Sequence, residues 1–293
     1  MPNKIRKEQF DHVHCHEGGD VTLKSVDGIK FLVNSSMLRL ASAQFKQMID
    51  DRRPHFWTRN VLVPLEEASS TVRILLDLIC SCNPCRTDQL PILRNHDDAW
   101  RATHAADKYG ISRAMSLLHG IVLNSECLRI ESSKLYVLGC RWRWTDVIKI
   151  ASTETLRGNL LYVMNDLVRL ERANLHNLLL LHWKRMSGIC AAFDVSDPLD
   201  VSIWRQPIYN CSCNLAGLPD NSFPGPKLSA HAVVIASLSV CPLGAELTTC
   251  DFWMNGCSEL VDYICPHCGV KRICLDSFVR FVNEVVLSAA SSV

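Results

Sequence analysis

No apolar run of about 18 residues occurs in this 293-residue chain, so no membrane-spanning helix is expected. No run of five basic residues occurs either, and 31 basic against 30 acidic side chains leave a net charge of +1. Such a balance provides no field to steer a polyanion, so neither nucleic acid nor an anionic membrane is an expected partner. The stretch Met1–Glu8 lacks the apolar core of a secretion signal, which points to a reducing setting, cytoplasmic or nuclear. The G-x-x-x-x-G-K-[ST] phosphate loop, H-E-x-x-H, G-x-S-x-G and a glycine-rich dinucleotide turn are all missing. Glu66-Glu67 and Asp97-Asp98 are adjacent pairs, and adjacent side chains diverge rather than share a proton. A non-catalytic protein is the expectation.

What the chain does have is 48% hydrophobic residues, enough for cores in two or three domains. It also has 15 cysteines, an odd number that suits no fully paired disulfide framework. In a reducing setting they serve as buried apolar residues, metal ligands or both.

Residues 1–18 read as a flexible tail, with Gly18-Gly19 as lead-in and an H-x-H-C-H string at His12, His14, Cys15 and His16. Residues 19–125 read as one α+β domain. Val21 and Leu23 point to one side of a strand, and Asp27-Gly28 is a two-residue turn into Ile29–Val33. Asn34 or Ser35 caps a helix that carries Met37, Leu38 and Leu40, and Phe45, Met48 and Ile49 continue the helical spacing. Val61-Leu62-Val63 is a further strand, stopped by Pro64. Helices are predicted over Ser69–Cys80, Asp97–Tyr109 (closed by Gly110) and Ile111–Leu123. Cys80, Cys82 and Cys85 form a C-x-C-x-x-C group with no evident fourth ligand.

Residues 126–196 read as a helical extension. Helical patterns cover Asp146–Leu156, Leu160–Leu170 and Asn174–Phe193, the last with Leu175, Leu178, Leu179, His182, Met186 and Ile189 at three-to-four spacing. The Arg141-Trp142-Arg143-Trp144 run either seals a helix junction with its rings or stacks on bases. Residues 197–293 form a cysteine- and proline-rich part, read as loop around Pro198–Pro226 and ending in a helix from Leu275 to Val286. That helix either packs back on the body or docks a partner. Cys265-Pro266-His267-Cys268-Gly269 is the strongest local metal motif. A closed tetrahedral zinc site needs a second pair, and Cys211 with Cys213 is the candidate, with His231, Cys250, Cys257 or His267 as substitutes. Reduced thiols and a redox pair are the alternatives.

The block Asp20–Leu123 resembles the BTB/POZ family. Asp20-Val21-Thr22-Leu23, the Gly28–Val33 strand, Met37-Leu38, Phe45, Val61–Leu65 and Ala105-Ala106-Asp107-Lys108-Tyr109 carry the likeness. It departs at Asn34-Ser35, where the family has histidine-alanine, and at Gln44, where it has tyrosine. With the Tyr136–Trp144 run, Asp146, Thr155-Leu156 and Leu167–Arg185, nearly the whole chain resembles a group of mushroom-type fungal BTB proteins. The resemblance implies a small sheet with helices and a protein-docking role. It also implies a cysteine pair preceding a late C-x-x-C. Self-association through Met37 and Leu40 follows as an expectation, with a cullin-type ligase or a transcriptional complex as wider protein partners. The alternative is a zinc-stabilised, nucleic-acid-associated regulator using Lys271-Arg272 with Arg141 and Arg143.

Overall fold

The computed structural model describes residues 9–15, 18–52, 60–80, 90–193, 210 and 224–289. They fall into two units, Met1–Glu131 and Ser132–Val293. The first is a small mixed β-sheet flanked by helices; the second is helical, with cysteines scattered through it.

In the first unit, strands β1 (Phe10–Cys15), β2 (Val21–Lys24), β3 (Lys30–Val33) and β4 (Val61–Pro64) stand in the order β1-β3-β2-β4. The Asp27-Gly28 turn behaves as its residues dictate, with Gly28 at φ +87° and the Ser25 amide donating to Ile29 O at 3.0 Å. β2 pairs antiparallel with β3 and parallel with β4. The register aligns Val33, Val21 and Val61 in one row and Phe31, Leu23 and Val63 in the next, all buried. Strict alternation puts both rows on one face, and their burial drives the sheet onto its helical cover. That cover comes from α1 (Ser35–Ala41), α2 (Ala43–Asp50), α3 (Ser69–Cys80), α4 (His96–Lys108), α5 (Ser112–Asn124) and α6 (Glu126–Arg129). Phe45 stacks on Tyr109 with ring centroids 4.7 Å apart. His96 Nε2 bonds Leu128 O at 2.8 Å and so ties α6 to this unit, which ends at Glu131.

β1 lies inside the segment read as a tail. Its burial breaks the two-residue period, with Asp11 and His14 inward. The cause is local: Asp11 Oδ1 accepts from the Val13 and His14 amides, both at 2.9 Å, and folds the strand into a bulge. Across the space to α3, Asp11 meets Arg73 (Nε–Oδ2 2.9 Å) and His14 meets Asp77 (2.8 Å). A spacing of three on the bulged strand thus matches a spacing of four on the helix. Burial raises the Asp11 pKa, but the His14 and Val13 amides and Arg73 outweigh it and hold the carboxyl below its ordinary value.

The second unit begins with α7 (Ser132–Trp142) and α8 (Thr145–Thr155). Gly139 lets them approach closely, because a Cβ there would sit 3.1 Å from Ile148 Cγ1 and 3.2 Å from its backbone nitrogen. α7 ends in a Schellman turn: the Trp144 amide donates to Gly139 O at 3.0 Å across Arg143, which takes φ 56°. That left-handed position favours glycine, so Arg143→Gly is expected to stabilise this unit by about 1 kcal/mol. A urea midpoint equal to or below that of the parent contradicts it.

A 3-10 turn at Leu160–Val163 and the short α9 (Met164–Leu167) lead to α10 (Arg172–Ala192). Then come α11 (Pro224–Val240), α12 (Cys250–Gly256), α13 (Ser258–Val261) and α14 (Leu275–Ser288). Part of the proline-rich stretch read as loop is therefore helix. Pro224 and Pro226 fall in the first turn of α11, where backbone amides have no helical acceptor and a missing N–H costs nothing. Ala230, Val234 and Leu238 of α11 join Ile189, Phe193, Leu247, Trp253, Ile273, Phe278, Val282 and Val286 in one core. Trp253 is fully buried, donates to Leu247 O at 2.7 Å, and meets Phe278 edge-on at 4.8 Å. The terminal helix packs back on its own unit.

Candidate functional site

The docking residues read from the sequence lie on α1. Two carboxamide and carboxylate groups fix its start. Asn34 Oδ1 accepts from the Ser36 amide at 2.9 Å, and Asp20 accepts from both the amide (2.7 Å) and the hydroxyl (2.5 Å) of Ser35. With the start fixed, Leu38 faces the core at 0% exposure and Leu40 faces solvent at 91%. Met37 is half-buried, one turn from Leu40, and its Sδ lies 4.0 Å from Cys80 Sγ on α3. Positions three apart on a helix are surface neighbours, so Met37 and Leu40 form one small apolar step.

Among the described residues, the thiols read as zinc ligands form no metal centre. Cys265 and Cys268 flank one turn of a hairpin: Gly269 (φ +71°) donates to Cys265 O at 2.9 Å, the Cys265 amide to Val270 O at 2.8 Å, and Ile264 bridges Lys271. Cys265 is 1% exposed and Cys268 is exposed. Cys211 and Cys213 lie outside the described residues, as do Cys82, Cys85 and His16. Among the described residues no group of three or more His, Cys, Asp or Glu side chains can hold a metal ion, so His231, Cys250, Cys257 and His267 do not complete a site with the hairpin pair. The expectation of a structural zinc is corrected on this ground. The C-terminal region also has a core of its own, supplied by the Trp253 cluster. The described cysteines are thiols rather than disulfides, and burial pushes the Cys140 thiol up to about 11.

The basic step Lys271-Arg272 offers little to a polyanion. Arg272 is 3% exposed, and Lys271 Nζ pairs with Asp262 at 2.7 Å. Arg141 and Arg143 are exposed, Trp142 and Trp144 are partly covered, and the Arg141 guanidinium lies over the Trp142 ring at 5.6 Å.

The most elaborate polar site was not singled out in the sequence. Arg185, on the buried stripe of α10 with Leu178, Leu181, His182 and Ile189, is 3% exposed. Its guanidinium donates to Pro242 O (3.2 Å), Leu243 O (2.6 Å), Val286 O (3.0 Å) and Ala289 O (2.9 Å). Two of these acceptors close the end of α14, where helical carbonyls have no amide partner. One turn earlier His182 Nε2 lies 3.1 Å from Thr155 Oγ1. The Thr155 hydroxyl spends its proton on Ser152 O at 2.7 Å, so the imidazole Nε2–H is the donor to it. The signal available beforehand was a charged residue at an apolar-stripe position.

A scan of protein-family models finds no match to this chain, and a search of curated proteins finds none either. The fold defines a class: an α+β unit built on a mixed four-stranded sheet, and a helical unit with its own core. Among the described residues no helix is long and apolar enough to cross a membrane.

Proposed function

We propose that the first unit is a protein-docking module of the BTB/POZ type and that the chain is a non-catalytic adaptor. Leu40 carries the reading: a leucine left 91% in water beside Met37, on a helix whose Leu38 is fully buried. The resemblance of Asp20–Leu123 and the two in-register apolar rows of its sheet support it. The first partner is a second copy of the chain, meeting it across α1. A cullin-type ligase or a transcriptional complex is the wider assembly, and cytoplasmic or nuclear residence belongs to the same reading.

Light scattering at micromolar concentration is expected to give twice the 33.0 kDa chain mass. Leu40→Asp is expected to give the single-chain mass, with stability unchanged within about 0.5 kcal/mol because the side chain touches little of its own unit. A single-chain mass for the parent protein overturns self-association through α1.

A further inference from the structure

The hairpin pair Cys265 and Cys268 has no part in the docking reading. Both residues lie within one hydrogen-bonded turn, closed by Gly269 N–H to Cys265 O at 2.9 Å. Residues three apart in such a turn lie within about 7 Å, a separation a disulfide can bridge. Their exposure is unequal: Cys268 meets solvent, and Cys265 is 1% exposed. The hairpin runs through Ile273, a core residue, into α14. Two other thiols of this unit, Cys190 and Cys257, fit the role less well. Burial raises the pKa of Cys190 and Cys257 and so holds them as protonated thiols.

We propose that Cys268 and Cys265 form a peroxide-responsive dithiol, with Cys268 as the reacting thiol and Cys265 as the resolving one. The Cys268 thiolate attacks one oxygen of a hydroperoxide. The O–O bond breaks, Cys268 becomes a sulfenic acid, and the departing alkoxide or hydroxide takes up a proton. Cys265 sulfur then attacks Cys268 sulfur. The S–O bond breaks, the S–S bond forms, and hydroxide leaves with the Cys265 proton as water. In sum, two thiols lose two electrons and two protons, and ROOH becomes ROH and water. The bridge cross-links the turn just before α14.

The test uses the full chain, reduced, freed of reductant and treated with equimolar hydrogen peroxide, then alkylated and peptide-mapped. The expected product is a disulfide within the Cys265–Cys268 peptide, reversed by dithiothreitol. Cys268→Ser is expected to leave Cys265 reduced, and Cys265→Ser to stop at a Cys268 sulfenic acid captured by a dimedone probe. If burial makes Cys265→Ser fail to fold, the parent and Cys268→Ser maps decide. A Cys268–Cys274 bridge, a bridge between chains, or oxidation elsewhere with this pair intact overturns the proposal. Cys274 is the competitor to watch, since the Ser277 hydroxyl and amide lower its pKa.

Discussion

Arg185→Met is expected to destabilise the second unit by about 3 kcal/mol, the largest effect foreseen for a single substitution here. Methionine fills the channel of the arginine stem, so little volume is lost. What is lost is one donor fork serving four carbonyls, those of Pro242, Leu243, Val286 and Ala289. A hydrogen bond from a charged donor is worth about 1.5–3 kcal/mol. The gross loss from four is partly offset because burying the guanidinium is itself costly, as the downward push of burial on its pKa reflects. For a unit of this size, 3 kcal/mol corresponds to a fall in Tm of roughly 6–12 °C. Arg185→Lys is expected to fall between, because a single ammonium cannot reach all four acceptors. A urea midpoint for Arg185→Met matching that of the parent shows that the fork contributes nothing net.

Acid is expected to remove about 2 kcal/mol from the same unit between pH 7 and pH 5 through His182. Burial pushes this imidazole down to about 4. The unfolded chain therefore takes up a proton below about pH 6.5, while the folded one stays neutral until about pH 4. A depressed folded pKa means the contribution is whole above pH 6.5 and drains away as pH falls toward 4. Carboxylates also titrate near this range, so the parent is compared with His182→Gln, which keeps a side-chain donor toward Thr155. The pH 7 to pH 5 loss is expected to be smaller in the variant by about 2 kcal/mol, read from urea midpoints. Equal losses in both proteins exclude His182 as the acid-sensitive group.

Much of the first unit was legible in advance because its signals are local. Val21, Leu23, Phe31 and Val33 alternate as strands do, Asp27-Gly28 turns the chain, and Asn34 caps the next helix. The helices over Ser69–Cys80 and Leu275–Ser288 declare themselves by the period of their apolar residues. β1 did not, because its two buried residues are an aspartate and a histidine whose partners on α3 are more than 60 residues away in sequence. α11 was hidden by Pro224 and Pro226, which read as breakers although both sit in a first turn that tolerates them. The Cys265–Cys268 spacing marked a local metal motif, yet spacing does not say what other side chains converge on it.

The division follows from range. Sequence by itself determined the strands of the central hairpin, most helix positions, the ends at Asn34 and Gly110, and the apolar faces, because these depend on backbone preference and on side chains a few residues apart. Only the tertiary structure decided that Arg185 is a buried fork and that Leu40 is left in water. The acceptors of the arginine lie 57 to 104 positions along the chain, and no local pattern encodes where they meet.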